Sequence, residues 1–196
     1  MPTLVMMHGL TGTAELIRPL AESLLSPGMN LILPEATIPH PKRGFAWWLR
    51  DEPPSEPLNS FSLREVDESV ESIVNFINLQ STDEKLILGG FSQGAAMATE
   101  VFMHSEICNR VIGLVLIAGK TVRPQKFHSQ LSKNPVPVVW MHGESDPIVS
   151  MEQANELCNV IEKANCPILK LRHHKGHMVN LKQKPEIINW IYSISK

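Results

Sequence analysis

Two rhythms of apolar residues alternate along this chain. Short unbroken runs at Leu4 to Met7, Leu86 to Leu88, Val111 to Ile117 and Val136 to Met141 have the composition of strands buried on both faces. Between them, Leu16, Ile17, Leu20, Leu24 and Leu25 keep helical spacing, with Pro19 read as the first turn and Pro27-Gly28 as the stop. Asn30 to Leu33 follows as a strand. Leu63, Val66, Val70, Ile73, Val74 and Ile77 form one helical face that runs to Leu79, opened by a capping box at Ser62-x-x-Glu65. Further helices are predicted over Gln93 to Met103, Met151 to Lys163 and Pro185 to Ile194. In the last strand, Ile168 to Arg172, Leu169 and Leu171 alternate with Lys170 and Arg172, which suits a sheet edge. Six strands alternating with helices predict one α/β domain over residues 1–196: a mostly parallel, doubly wound sheet with helices on both faces. The chain shows no internal repeat or low-complexity tract.

One segment breaks the rhythm. Pro34 to Ser60 carries prolines at 34, 39, 41, 53, 54 and 57, interleaved with Phe45, Trp47 and Trp48. A disordered linker would be poor in aromatics, so this is a long loop whose rings cover something apolar. Two readings stand side by side. In one the rings are a satellite cluster that holds the loop down; in the other Phe45, Trp47 and Trp48 are substrate-binding residues walling an acyl chain.

Composition narrows the function. Lys plus Arg (18) nearly balances Asp plus Glu (20), so no strong field points to nucleic acid or an anionic membrane as a partner. The three cysteines, Cys108, Cys158 and Cys166, lack C-x-x-C spacing and read as reduced thiols, consistent with a cytoplasmic protein. The N-terminus reads as free of a signal segment, and no later run is long enough to span a bilayer, so no stable membrane anchor is expected.

The chemistry centres on Lys85 to Met97, a strand, a sharp turn and a helix with Ser92 at the turn. Gly90-Phe91-Ser92-Gln93-Gly94 is the G-x-S-x-G nucleophile elbow, whose flanking glycines leave room for a turn too tight for side chains. The competing reading is an ordinary glycine-rich turn whose serine caps the helix. A serine nucleophile needs a base. His177 follows the last strand's carboxyl end, on the edge of the sheet that holds Ser92; His173 and His174 lie at the strand end itself. A metal reading of His173, His174 and His177 is disfavoured, because adjacent histidines point oppositely along a strand and no carboxylate or thiolate joins them. His8 and His142, each before a glycine at a strand end, read as supports. Of the four aspartates, Asp51, Asp67, Asp83 and Asp146, only Asp146 follows a strand's carboxyl end. It is the candidate acid, with a turn-forming role before Pro147 as the alternative and Glu144 as rival. Backbone N–H groups of Gln93 and Leu10 are the candidate oxyanion donors.

These motifs resemble the phospholipase/carboxylesterase family of α/β-hydrolases, which includes bacterial carboxylesterases and acyl-protein thioesterases. The carriers are His8-Gly9-Leu10, Leu88-Gly89-Gly90-Phe91-Ser92-Gln93-Gly94-Ala95, His142-Gly143-x-x-Asp146-Pro147-x-Val149 and Gly176-His177. The resemblance implies an α/β-hydrolase fold, a Ser92–Asp146–His177 triad and an oxyanion hole at Leu10 and Gln93. It also implies hydrolysis of a small-molecule ester or thioester through an acyl-enzyme, with no metal or organic cofactor. Three departures stand out. Met1 lies almost at the first strand, where the family usually has one or two strands more, so the Asn30 to Leu33 edge is open to homodimer contact. Leu49-Arg50 replaces the aspartate that commonly follows the aromatic pair, and the Ile117 to Pro135 segment is short for an acyl-covering loop. The alternatives are a non-catalytic binder on this fold, and lysophospholipase or acyl-protein thioesterase as the specific activity. A dienelactone-type hydrolase would normally carry cysteine at position 92.

Overall fold

The computed structural model describes residues 2–82 and 85–196; Asp83 lies outside them. In chain order the elements are β1 (Thr3–Met7), α1 (Ala14–Ser23), β2 (Asn30–Ile32), β3 (Ile38–Pro39), β4 (Phe45–Ala46), α2 (Ser60–Gln80), β5 (Leu86–Phe91), α3 (Gln93–Phe102), β6 (Val111–Ile117), α4 (Pro124–Lys133), β7 (Val138–Gly143), α5 (Met151–Lys163), β8 (Ile168–His173) and α6 (Lys184–Ile194).

Six strands form one sheet in the order β2-β1-β5-β6-β7-β8, every pair parallel. Because side chains alternate across a strand, each run of apolar residues feeds two cores. Val5, Met7, Leu86, Leu88, Leu114, Leu116, Val138 and Trp140 face α2, α3, α4 and α5. Leu4, Met6, Ile87, Val115, Ile117, Val139 and Met141 face α1 and α6. The chain is thus a single doubly wound α/β domain, with β2 and β8 at the edges.

Local chemistry explains where the helix boundaries depart from expectation. Helix α1 starts at Ala14 because Thr13 caps it, accepting from Leu16 N at 3.1 Å; Pro19 therefore sits inside the helix and Leu16 is exposed. Helix α2 starts at Ser60 with Asn59 as cap, accepting from Ser62 N at 2.9 Å, so Ser62 and Glu65 are not a capping box. They reach instead to the preceding loop: Leu49 N donates to Glu65 Oε2 (2.8 Å) and Ser62 Oγ donates to Leu49 O (2.6 Å). Helix α4 fills most of the Ile117 to Pro135 segment, where no helix is predicted; Pro124 lies in its first turn, and Phe127 and Leu131, one turn apart, are its buried residues. Arg123, at its start, pairs with Asp67 of α2 (2.8 Å) and Glu100 of α3 (2.5 Å), tying three helices together. No helix among the described residues is long and apolar enough to cross a membrane.

Candidate active site

β1 and β5 are adjacent, but the chain leaves β1 toward β2 and leaves β5 toward β6, so their carboxyl ends form the crevice where open α/β sheets hold ligands. Ser92 stands there, directly after β5. Its backbone has φ 56° and ψ −116°, a region costly for a residue with a Cβ. Ser92 N donates to Ile117 O at 2.8 Å, and Ala95 N returns to Ser92 O at 3.0 Å. The flanking glycines are steric necessities: a Cβ on Gly90 would stand 2.3 Å from the Gly94 carbonyl carbon, and one on Gly94 2.1 Å from Met7 O.

His177 arrives from the loop after β8. Its Nε2 lies 2.8 Å from Ser92 Oγ and its Nδ1 2.7 Å from Asp146 Oδ2. An ionised carboxylate only accepts, so Nδ1 carries the proton and Nε2 is left to accept from the serine hydroxyl. Such a hydroxyl can attack an acyl carbon as its proton passes to the imidazole. Gly143 is what lets the 175–176 segment come this close, since a Cβ there would meet Lys175 O and Gly176 O at 2.3 Å. Phe91 flanks the imidazole, the rings 5.0 Å apart.

Asp146 is fixed more firmly than either partner. Its Oδ1 accepts from Ile148 N (2.8 Å) and Val149 N (3.0 Å), which folds the 146–149 turn around the carboxylate. The turn-forming role and the acid position therefore belong to the same residue, one oxygen for each. Burial raises the Asp146 pKa, but the Val149 N–H, the bond to His177 and the Ile148 N–H outweigh it, and the net shift is downward. Glu144 is exposed; Asp146 is the acid brought to His177.

His8 and His142 act as braces with definite tautomers. His142 Nε2 lies 2.9 Å from Val149 O, so it carries a proton and donates, while Nδ1 is buried without a partner among the described residues. The same Nε2 lies 3.6 Å from Asp146 Oδ2. His8 Nε2 accepts from Ala36 N (3.1 Å), so its proton is on Nδ1, 2.8 Å from Gly9 O. Burial holds both pKa values below the ordinary histidine range. His173 is buried against Gly143, also with its pKa lowered by burial, whereas His174 is exposed.

Among the described residues, neither Leu10 N nor Gln93 N has a hydrogen-bond acceptor. Gln93 N is at the first turn of α3, and Leu10 follows Gly9, where a Cβ would be 3.4 Å from Ser92 Cβ. The two unpaired donors thus belong to the residue after Ser92, at the start of α3, and to the residue after Gly9, in the 8–12 loop.

Trp47 is 1 % exposed and Trp48 5 %, and both belong to the core facing α2 and α3. Neither ring offers surface to a substrate in this arrangement; Phe45 is half-buried. The loop is neither a satellite cluster nor an open wall but a brace. Trp47 stacks on His8 (4.9 Å between rings) and its Nε1 donates to His8 O at 2.9 Å. The Gln93 side chain accepts from Trp47 N (2.9 Å) and donates to Trp48 O (2.8 Å). This second use of Gln93 has no local signature in sequence beyond a long polar side chain at a position that becomes buried.

A cavity of about 170 Å³ opens beside the 8–12 loop and Phe91. A larger groove of about 430 Å³ lies between α2, α3 and α4 and contains none of Ser92, Asp146 and His177. Among the described residues, no group of three or more His, Cys, Asp or Glu side chains could hold a metal ion.

Comparison with known proteins agrees with this architecture. A family model described as Phospholipase/Carboxylesterase matches residues 1–193. The "Acyl-protein thioesterase 1" of Cryptococcus neoformans is 27 % identical over 161 residues, covering 75 % of this chain and 67 % of the relative. That of Candida albicans is 27 % identical over 120 residues, covering 57 % and 50 %. Among solved structures, Zea mays acyl-protein thioesterase 2 superposes with TM-score 0.80 at 22 % identity, covering 100 % of this chain and 94 % of that one. Arabidopsis thaliana SOBER1 gives 0.77 at 20 %, covering 100 % and 99 %.

Proposed function

Because the chain belongs to the phospholipase/carboxylesterase family, we propose that it is a serine carboxylic-ester hydrolase that works through an acyl-enzyme on small or medium acyl esters or thioesters. The observation that carries this reading is the continuous hydrogen-bonded chain Ser92 Oγ, His177 Nε2, His177 Nδ1, Asp146 Oδ2, with links of 2.8 and 2.7 Å. In the proposed cycle His177 takes the serine proton as Oγ attacks the acyl carbon, and Asp146 stabilises the imidazolium. The Leu10 and Gln93 N–H groups stabilise the oxyanion. His177 then protonates the leaving group, and water, activated by the same imidazole, releases the acid. Thioesters belong to the substrate range because the relatives are acyl-protein thioesterases by name. A cytoplasmic location fits the three free cysteines.

Ser92→Ala removes the nucleophile without filling the site. Hydrolysis of an aryl acetate should fall at least about a thousandfold, with the urea midpoint of unfolding kept. Equal turnover by wild type and Ser92→Ala would refute the mechanism.

A further inference from the structure

Apart from Leu10, whose backbone N–H serves the oxyanion, the residues lining the 170 Å³ cavity have no role in the cycle just described. Ser92 is not among its lining residues; Gly9, which is, stands between the two, since a Cβ there would be 3.4 Å from Ser92 Cβ and 3.0 Å from Phe91 Cδ1. Leu10, Leu16, Ile17 and Phe91 form its apolar side, His8 and Thr11 add polar groups, and among the described residues Arg43 is its one permanently charged lining residue. At about 30 Å³ for a water's share of liquid, the space takes a chain of only a few heavy atoms. Pockets for drug-sized ligands run to about 300–1,000 Å³.

Arg43 is delivered there by a built device. Gly44, at φ 58°, lies so near the oxyanion loop that a Cβ would stand 2.4 Å from Thr11 O. Thr11 N donates to Phe45 O (2.9 Å) and Phe45 N to Gly12 O (3.1 Å), locking the β3–β4 hairpin against residues 11 and 12. Arg18 and Arg123 are engaged by carboxylates, and Arg50 by carbonyls. Among the described residues Arg43 has no such acceptor. An exposed guanidinium lining a short cavity with one apolar side matches a ligand with a few methylenes ending in an anion. With no second permanent cation in the lining among the described residues, a monoanionic carboxylate fits better than a phosphate dianion.

Resting on the serine-hydrolase reading, we propose that this cavity is a subsite for a carboxylate-tailed substrate: a short ester or thioester bearing a carboxylate a few atoms from the scissile carbonyl, its methylenes against Leu10, Leu16 and Phe91 and its carboxylate on Arg43.

The test compares kcat/KM within matched pairs. An aryl hemisuccinate or hemiglutarate is set against the aryl butanoate or pentanoate for a tail on the acyl side, and 3-acetoxypropanoate against propyl acetate for a tail on the alcohol side. Wild type and Arg43→Gln are assayed at low and high salt. In at least one arm the anionic-to-neutral ratio should fall about two- to fivefold in Arg43→Gln, the range of an exposed ion pair. The wild-type ratio should fall similarly in high salt. Ratios that Arg43→Gln leaves unmoved in both arms would overturn the subsite, while Ser92-dependent turnover of the neutral esters would leave the hydrolase reading standing. If wild type turns over no member of any pair, the hydrolase reading fails and the subsite with it.

Discussion

Ser92 shows how a single residue's backbone can be dictated by its neighbours. The positive φ that lifts its Oγ clear of the sheet is tolerable only because Gly90 and Gly94 let α3 and the end of β1 close around it. The buried histidines illustrate the complementary rule, that a polar group inside the fold keeps one protonation state. His8, His142 and His173 all have pKa values lowered by burial. An unfolded histidine titrates near 6.5, so as pH falls through about 6.5 the unfolded chain takes up protons that the native chain refuses. Their contribution to stability is therefore complete above that pH and declines below it. Asp146, shifted downward, acts in a separate window: its contribution is present above about 3.9 and is lost at lower pH. Between pH 7.5 and 5.5 the free energy of urea unfolding should fall, and His142→Gln should make that fall shallower, by up to about 1.4 kcal/mol per pH unit for one proton. An identical decline in wild type and variant would mean that His142 is not held neutral.

At the scale of elements, the 34–60 segment matters most. Its hydrogen bonds run to His8 O, the Gln93 side chain, Glu65, Ser62 and Ser69, so it ties the loops on both sides of Ser92 to α2. Trp47→Ala removes a ring that is 1 % exposed. It should cost about 3–5 kcal/mol, visible as a lower urea midpoint, while residual activity keeps its dependence on acyl length. If the midpoint stays and the length dependence flattens instead, Trp47 is a substrate wall. The strands and most helices were legible because each is recorded in a local period: apolar runs for β5, β6 and β7, and one stripe for α2. Helix α4 was not, since only Phe127 and Leu131 mark its buried side. The Ser62-x-x-Glu65 pattern misled because its side chains turn to Leu49, a partner with no place in a helical period.

At the scale of the molecule, the topology assembles the site. Reversal of winding between β1 and β5 opens the crevice, and the loops after β5, β7 and β8 deliver Ser92, Asp146 and His177 into it. That much was legible, because chain order and strand ends locate all three residues without side-chain detail. The clamp of Gln93 on residues 47 and 48 and the placing of Arg43 at the cavity were not; they join positions tens of residues apart, and neither contact has a period. The central claim is that Ser92 is an activated nucleophile, and covalent capture tests it most directly. Native protein incubated with a fluorophosphonate, followed by intact-mass and peptide mass spectrometry, should gain one adduct, on Ser92, at a rate greatly reduced in His177→Ala. Folded protein that gains no adduct, or one formed equally fast without His177, would contradict the account.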